Sequence, residues 1–343
     1  GATHVGVKDA PPGAEEMARL SRTEQDVGQG PRTGMQLANR NGIWPHRTLD
    51  DLWVSDSGKL EALRKAGFTS ALVTPQTGIM AGQGDLVQLS GDPLRVSILR
   101  DRITQWIAPG SNGLRSRADN RAYPGSPMGV VALIRQTMLD ARWYQERQGL
   151  FVRHPQSIDR IPYDPVLEAV GNLLERRQKT LLWANEPDRI HHALDLAEEF
   201  QQDAVVIGGA EAWKLSHRLA SRGYPVIASL DWGEKPKLTP EPSDSSKNKK
   251  NKPLTRSWER TWENDFFEPP AVRVERLREW EARVSNVQHL LEAGVPVALS
   301  GRDLKSPDLF WKRIQEAIDL GLSPDQLLAA LTVNPARIFG MEQ

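Results

Sequence analysis

From residue 179 onward, short apolar runs alternate with amphipathic helical segments at a spacing of about 20 to 25 residues, and no other feature constrains the fold so tightly. KTLLWA, AVVIGG, PVIASL and VPVALS are continuous apolar runs rather than alternating ones, so each expects burial on both faces, the pattern of a strand in a parallel sheet. Between them, PDRIHHALDLAEEF places Ile190, Ala193, Leu194, Ala197 and Phe200 at helical spacing, and EAWKLSHRLASRG closes on Gly223. VERLREWEARVSNVQHLLEAG and PDLFWKRIQEAIDLG continue the series, and SPDQLLAALTVNPARIFG is a last helical segment capped at Ser323. The fold class is therefore α/β. Strand-then-helix units of this length suit a closed barrel or a doubly wound sheet.

The first half is less regular. Residues 9–35 are rich in Pro, Gly and charge and read as an arm or long loop, with one short helical stretch near Glu15 to Leu20. Asp56 or Ser57 can cap a helix that runs through Lys65 and ends at Gly67, and FTSALVTP then reads as a strand. PQTGIMAGQG reads as a Pro/Gly loop, followed by DLVQLSG and LRVSILR as two short strands. A long helix follows from YPGSPMGVVALIRQTMLDARWYQER, with Val130, Val131, Ile134, Met138 and Leu139 on one side. The chain divides into residues 1–48, an arm with room for a first strand, and residues 49–343, the α/β body. Within the body, residues 233–257 are a polar, Lys/Pro-rich insertion expected to be disordered, and Trp258, Trp262, Phe266 and Phe267 are expected to fold back as a lid.

Composition removes several function classes. Forty-four Lys+Arg balance 44 Asp+Glu, so the chain lacks the basic footprint of a nucleic-acid partner, and no apolar run reaches the length of a membrane span. Zero cysteines excludes disulfides, thiolate metal sites and cysteine nucleophiles. The seven histidines show neither HxH nor HExxH, and His191 and His192, adjacent on a helix, diverge by about 100° and cannot share one ion. GxGxxG, GxxxxGK[ST] and GxSxG are all absent. Gly208 and Gly209 stand between strand and helix, either as a tight turn or as an anion cradle.

The remaining candidates are polar residues that end strands: Trp183 and Asn185 after KTLLWA, Asp231 after PVIASL, and Arg302 with Asp303 after VPVALS. In a barrel these converge on one mouth. There Asp303 or Asp231 is suited to act as a catalytic general base, Arg302 to stabilise an oxyanion, and Gln83, Trp183 and Asn185 to bind or orient an amide substrate.

AGFTSALVTPQTGIMAGQGDLVQLSG, WANEPDRIHHALDLAEEF, VVIGGAEAWKLSHRLASRGYPVIAS, AGVPVALSGRDL and LSPDQLLAALTVNPARIFGM together resemble the amidohydrolase superfamily, in particular its imidazolonepropionase-like branch. The helix ending in TVNPARIFG carries the most specific likeness. The resemblance implies a β/α (TIM-like) barrel of the metal-dependent hydrolase type, here incomplete and without a full flanking β-sandwich. It also locates the departures. Metal-bearing relatives bring HxH on strand 1, a His where this chain has Trp183, a His where it has Gly208, and a strand-8 Asp where it reads Ser300-Gly301-Arg302, with Asp303 one residue late.

The expectation is thus a degenerate module with no metal ligands and no cofactor, zinc returning only if that mapping of ligands is wrong. Its expected role is that of a non-catalytic or altered domain that supports a catalytic neighbour or binds a small molecule. The alternative is a hydrolase of carbon–nitrogen bonds with a metal-poor site. Expected partners are a second amidohydrolase module or a second copy of the chain, besides a small-molecule ligand. SPMGVVALIRQTMLDARWYQ and Trp183-Ala184-Asn185 resemble bacterial proteins with two such modules, which leans the compartment towards the periplasm or cell envelope. The abrupt ends read as those of a piece of a longer polypeptide.

Overall fold

Seven strands form one sheet whose spatial order is the order of the chain. In the computed structural model, residues 40, 42–54, 56–110, 124, 126–236, 238 and 270–341 are described. Most of the N-terminal arm, most of the 233–257 insertion and the expected lid aromatics Trp258, Trp262, Phe266 and Phe267 lie outside the described residues. The elements are α1 (Leu49–Leu52), α2 (Ser57–Lys65), β1 (Ser70–Val73), β2 (Met80–Gln88), α3 (Leu94–Ser97), β3 (Ile98–Ile107), α4 (Pro127–Arg153) and α5 (Pro165–Leu174). They continue with β4 (Lys179–Ala184), α6 (Pro187–Glu199), β5 (Ala204–Gly208), a 3₁₀ turn (Ala212–Leu215), α7 (Ser216–Arg222) and β6 (Val226–Ser229). The last are α8 (Pro270–Val284), α9 (Asn286–Glu292), β7 (Val297–Ser300), α10 (Leu309–Asp319), α11 (Pro324–Leu331) and α12 (Val333–Ile338).

Strands β3 to β7 pair in parallel, as the unbroken apolar runs of β4 to β7 require once both faces are covered. The first three strands differ: β1–β2 and β2–β3 are antiparallel. The expected Pro/Gly loop is the start of β2, and its glycines serve close approach rather than turning. A Cβ on Gly82 would stand 2.7 Å from the Arg47 carbonyl, which accepts the Gln83 N–H at 2.8 Å. Residues 42–47, read from sequence as arm, therefore lie against β2, and Ile43 bridges Met80. LRVS, expected as strand, is the single helical turn α3.

Helices cover the outer face. On α4, Val130, Leu133, Ile134, Thr137, Met138, Ala141 and Tyr144 recur at three- and four-residue spacing and are buried. Leu139, expected on that face, is exposed, because one residue beyond Met138 turns the side chain about 100° off the stripe. The helix α5 was not among the expected elements. Asp164 caps it by accepting the Val166 and Leu167 N–H groups, and the same carboxylate pairs with Arg40 at 2.6 Å.

The inner face shows that the sheet is curled. Leu72, Ala81, Trp106, Leu181, Val205, Ile207, Ile227 and Ala298, drawn from all seven strands, form one buried cluster with Ile338 of α12. The sheet's two ends approach through α10: Phe310 meets Phe68 edge-on at 4.9 Å, and Trp311 Nε1 donates to the Ala66 carbonyl at 3.1 Å.

Candidate functional site

At the C-terminal ends of the parallel strands, residues from β3, β4, β6 and the β7 end converge on one mouth. Alternation along each strand decides which side chains enter it. Trp106 and Trp183 share the inner cluster, while Ser229 and Ser300 pair in register two residues beyond Ile227 and Ala298. Just past β7, the Arg302 N–H donates to the Ser300 hydroxyl at 3.2 Å. The Arg302 guanidinium carbon lies 5.0 Å from the centre of the Trp106 ring and 5.9 Å from that of Trp183. Electrostatic attraction to the two ring faces favours this placement of the cation.

Asp303 completes the cluster. Its Oδ1 accepts from Arg302 Nε at 2.7 Å and pairs with Nη2 at 2.6 Å, and its Oδ2 accepts from the Ser229 hydroxyl at 2.9 Å. Both carboxylate oxygens are engaged, so Asp303 must weaken a bond to Arg302 or Ser229 before it takes a proton from water. Asp231 is exposed and joins through its backbone N–H, which donates to Ser229 Oγ at 3.2 Å.

Asn185 flanks the mouth. A Cβ on Gly208 would clash with the Asn185 amide oxygen, and Gly208 is at φ +96, so the turn after β5 requires glycine twice over. Gly209 donates its N–H to the Ala184 carbonyl at 2.8 Å and accepts from Asn286 Nδ2 at 2.8 Å. The Gly208-Gly209 pair is thus a tight turn anchored from α9, with the Gly209 amide spent inside it.

Gln83 is not brought to the mouth. Its Nε2 donates to the Pro45 carbonyl at 3.2 Å, and its Oε1 accepts from Gln178, which precedes β4 and so marks the opposite end of the parallel strands. Buried Asp85, also on β2, accepts the Arg102 N–H at 2.6 Å. Burial pushes its carboxyl up to about 6, and the charges of Asp101 and Asp50 push the same way against the Arg102 N–H. A polar recess of about 430 Å³ lies between α4, α5 and α6, lined by Arg142, Glu175, Arg176 and Glu199 among others. No mouth residue lines it, and Glu199 and Glu175 are engaged by Arg135 and Gln145.

Trp106, Ser229 and Ser300 were not among the site residues expected from sequence, although Ser300 opens the Ser300-Gly301-Arg302 run that stands at the place of the relatives' strand-8 Asp. Trp106 is the penultimate residue of DRITQWI, a run whose strand character is masked by its polar first half. The serines sit inside apolar strand runs, where a hydroxyl ordinarily satisfies a local backbone group.

Among solved structures, an amidohydrolase from Thermotoga maritima MSB8 superposes with a TM-score of 0.71 at 20% identity, covering 99% of this chain and 74% of that one. The chain has the amidohydrolase fold. A second amidohydrolase structure overlaps at 16% identity and a TM-score of 0.34, over 65% of this chain and 53% of the other. No family model and no curated protein matches the sequence. No helix among the described residues is long and apolar enough to cross a membrane.

The resemblance to metal-dependent hydrolases implies a metal at the mouth, and the described side chains Trp106, Trp183 and Arg302 do not fit one. Indole and guanidinium nitrogens offer N–H donors and no ligand lone pair, and the Arg302 charge opposes a cation beside it. Among the described residues, no group of three His, Cys, Asp or Glu is placed to hold an ion.

Proposed function

We propose that the chain is an amidohydrolase-fold binding domain, a β/α barrel unit of the imidazolonepropionase-like type that holds a small molecule at the strand mouth instead of hydrolysing a carbon–nitrogen bond. The observation that carries this reading is the Arg302 guanidinium placed over the rings of Trp106 and Trp183, with Asp303 tied to it. Hydrolysis of an amide needs an activated water, and in this superfamily's resemblance a metal supplies it. Here a cation–aromatic cluster lines the mouth, and the carboxylate nearest to it is engaged on both oxygens. Such a cluster recognises a ligand by charge and ring contact and offers no open metal position.

Elemental analysis of the full chain after dialysis against zinc, manganese and iron, paired with turnover assays on linear and cyclic amides, tests the proposal. The expected result is metal well below one equivalent and no turnover. A stoichiometric metal accompanied by hydrolysis overturns it and makes the C–N hydrolase reading the better one.

A further inference from the structure

Three N–H donors are stranded at the mouth. Arg302 Nη1, Trp106 Nε1 and Trp183 Nε1 are buried without a hydrogen-bond partner among the described residues. A buried donor left unpaired is destabilising, so one on the Arg302 guanidinium and one on each of the two indoles beside it call for an explanation in ligand terms. The geometry of the arginine narrows it. Asp303 binds side-on, through Nε and Nη2, which leaves the Nη1 edge directed away from that carboxylate. Arg302 is 8% exposed and Trp106 2%, so neither donor is there to be solvated by bulk water.

We propose that the mouth is an oxyanion site: Arg302 Nη1 with the indole N–H groups of Trp106 and Trp183 takes a carboxylate or phosphate group of the bound small molecule. This rests on the binding-domain reading above and adds the chemical class of the ligand. All three groups are donors without acceptor capacity, so they select an acceptor-only group and reject amines and cations. Asp303 stays on its own edge of the guanidinium, held from the far side by Ser229, and so does not compete for Nη1. Trp183 is half-buried where Trp106 is 2% exposed, so Trp183 is the nearer of the two rings to solvent.

The test uses the full chain labelled with ¹⁵N-tryptophan, titrated with sodium acetate and separately with inorganic phosphate against a chloride control of equal ionic strength. Trp106→Phe and Trp183→Phe assign the two indole signals. Eleven tryptophans are present, so the other indoles report that each variant is folded. The expected result is a saturable shift of those two indole signals by one anion or both, the acetate and phosphate arms telling a planar from a tetrahedral group. Arg302→Gln, if folded by the other indoles, abolishes the response. If that variant does not fold, Trp183→Phe serves in its place and weakens the anion's effect on the Trp106 signal at least severalfold. Shifts no larger than in chloride, or unchanged in Arg302→Gln, or in Trp183→Phe where that variant stands in, overturn the oxyanion site. The metal and turnover assays on the same sample keep the two failures apart: silent indoles in a metal-free, inactive protein reject only the ligand class, whereas metal and turnover reject the binding-domain reading itself.

Discussion

The parallel half of the sheet, β3 to β7, and the antiparallel half, β1 to β3, solve the same burial problem by opposite means. In the parallel half β4 to β7 are short apolar runs covered by helices, and at their C-terminal ends Ser229, Ser300, Arg302 and Asp303 form a single network. In the antiparallel half the neighbours come so close that side chains are removed. Gly84 faces Thr74, Thr104 and the Val73 carbonyl, and Gly82 faces Arg47 and Pro75. The first design places the candidate site at the strand ends and just beyond them; the second spends its sequence on packing.

Alanine at the two kinds of glycine sets these designs against each other. Gly84→Ala puts a Cβ 2.6 Å from Thr104 Oγ1 and 2.9 Å from the Val73 carbonyl, and urea denaturation is expected to show a loss of about 3 kcal/mol or more. Gly223→Ala, at φ +69 with open space around it, is expected to lose only about 1 kcal/mol, the cost of the left-handed backbone. Equal losses at the two positions would remove the distinction.

Asp85 tests the antiparallel half by pH. Its folded carboxyl is raised from 3.8 to about 6, so the folded state holds the proton more tightly than the unfolded one, and stability falls as pH rises from about 4 to 6. Asp85→Asn keeps an acceptor for the Arg102 N–H without a buried charge. Thermal melts should show the variant more stable than the parent above pH 6, by on the order of 1 to 2 kcal/mol, with that pH-dependent fall removed. A parent protein whose stability rises over this range would contradict the burial argument.

The smallest effect belongs to the helical cover of the parallel half. Arg135 and Glu199 pair at 2.7 Å between α4 and α6, with side chains 42% and 39% exposed. Water and salt screen such a pair, so Arg135→Ala should change the denaturation midpoint by no more than about 0.5 kcal/mol equivalent. A larger change would mean that the helices of this half depend on ionic contacts as much as on their apolar faces.

What was legible follows from the same contrast. Strands β4 to β7 and helices such as α6 stood out because each carries its own period and its own apolar face. Strand-end residues Trp183, Asn185, Arg302 and Asp303 were accessible to the same reasoning, since the mouth of a parallel sheet lies where strands run out. Gln83 was misplaced because β2 runs antiparallel, which sends a residue from a glycine-rich run towards Gln178 at the other end. Trp106 was missed for a related cause: β3 begins as half of an antiparallel pair and only its last residues join β4.

By itself, then, the sequence determined the α/β class, the strand-and-helix rhythm after residue 179 and the polar set at its strand ends, because these depend on residues a few positions apart. Only the tertiary structure decided that β2 turns back, that Trp106 stands under Arg302 and that Ser229 reaches Asp303. The last two contacts join residues separated by 74 positions or more, and nothing local in the chain specifies which pleat, register or curl brings them together.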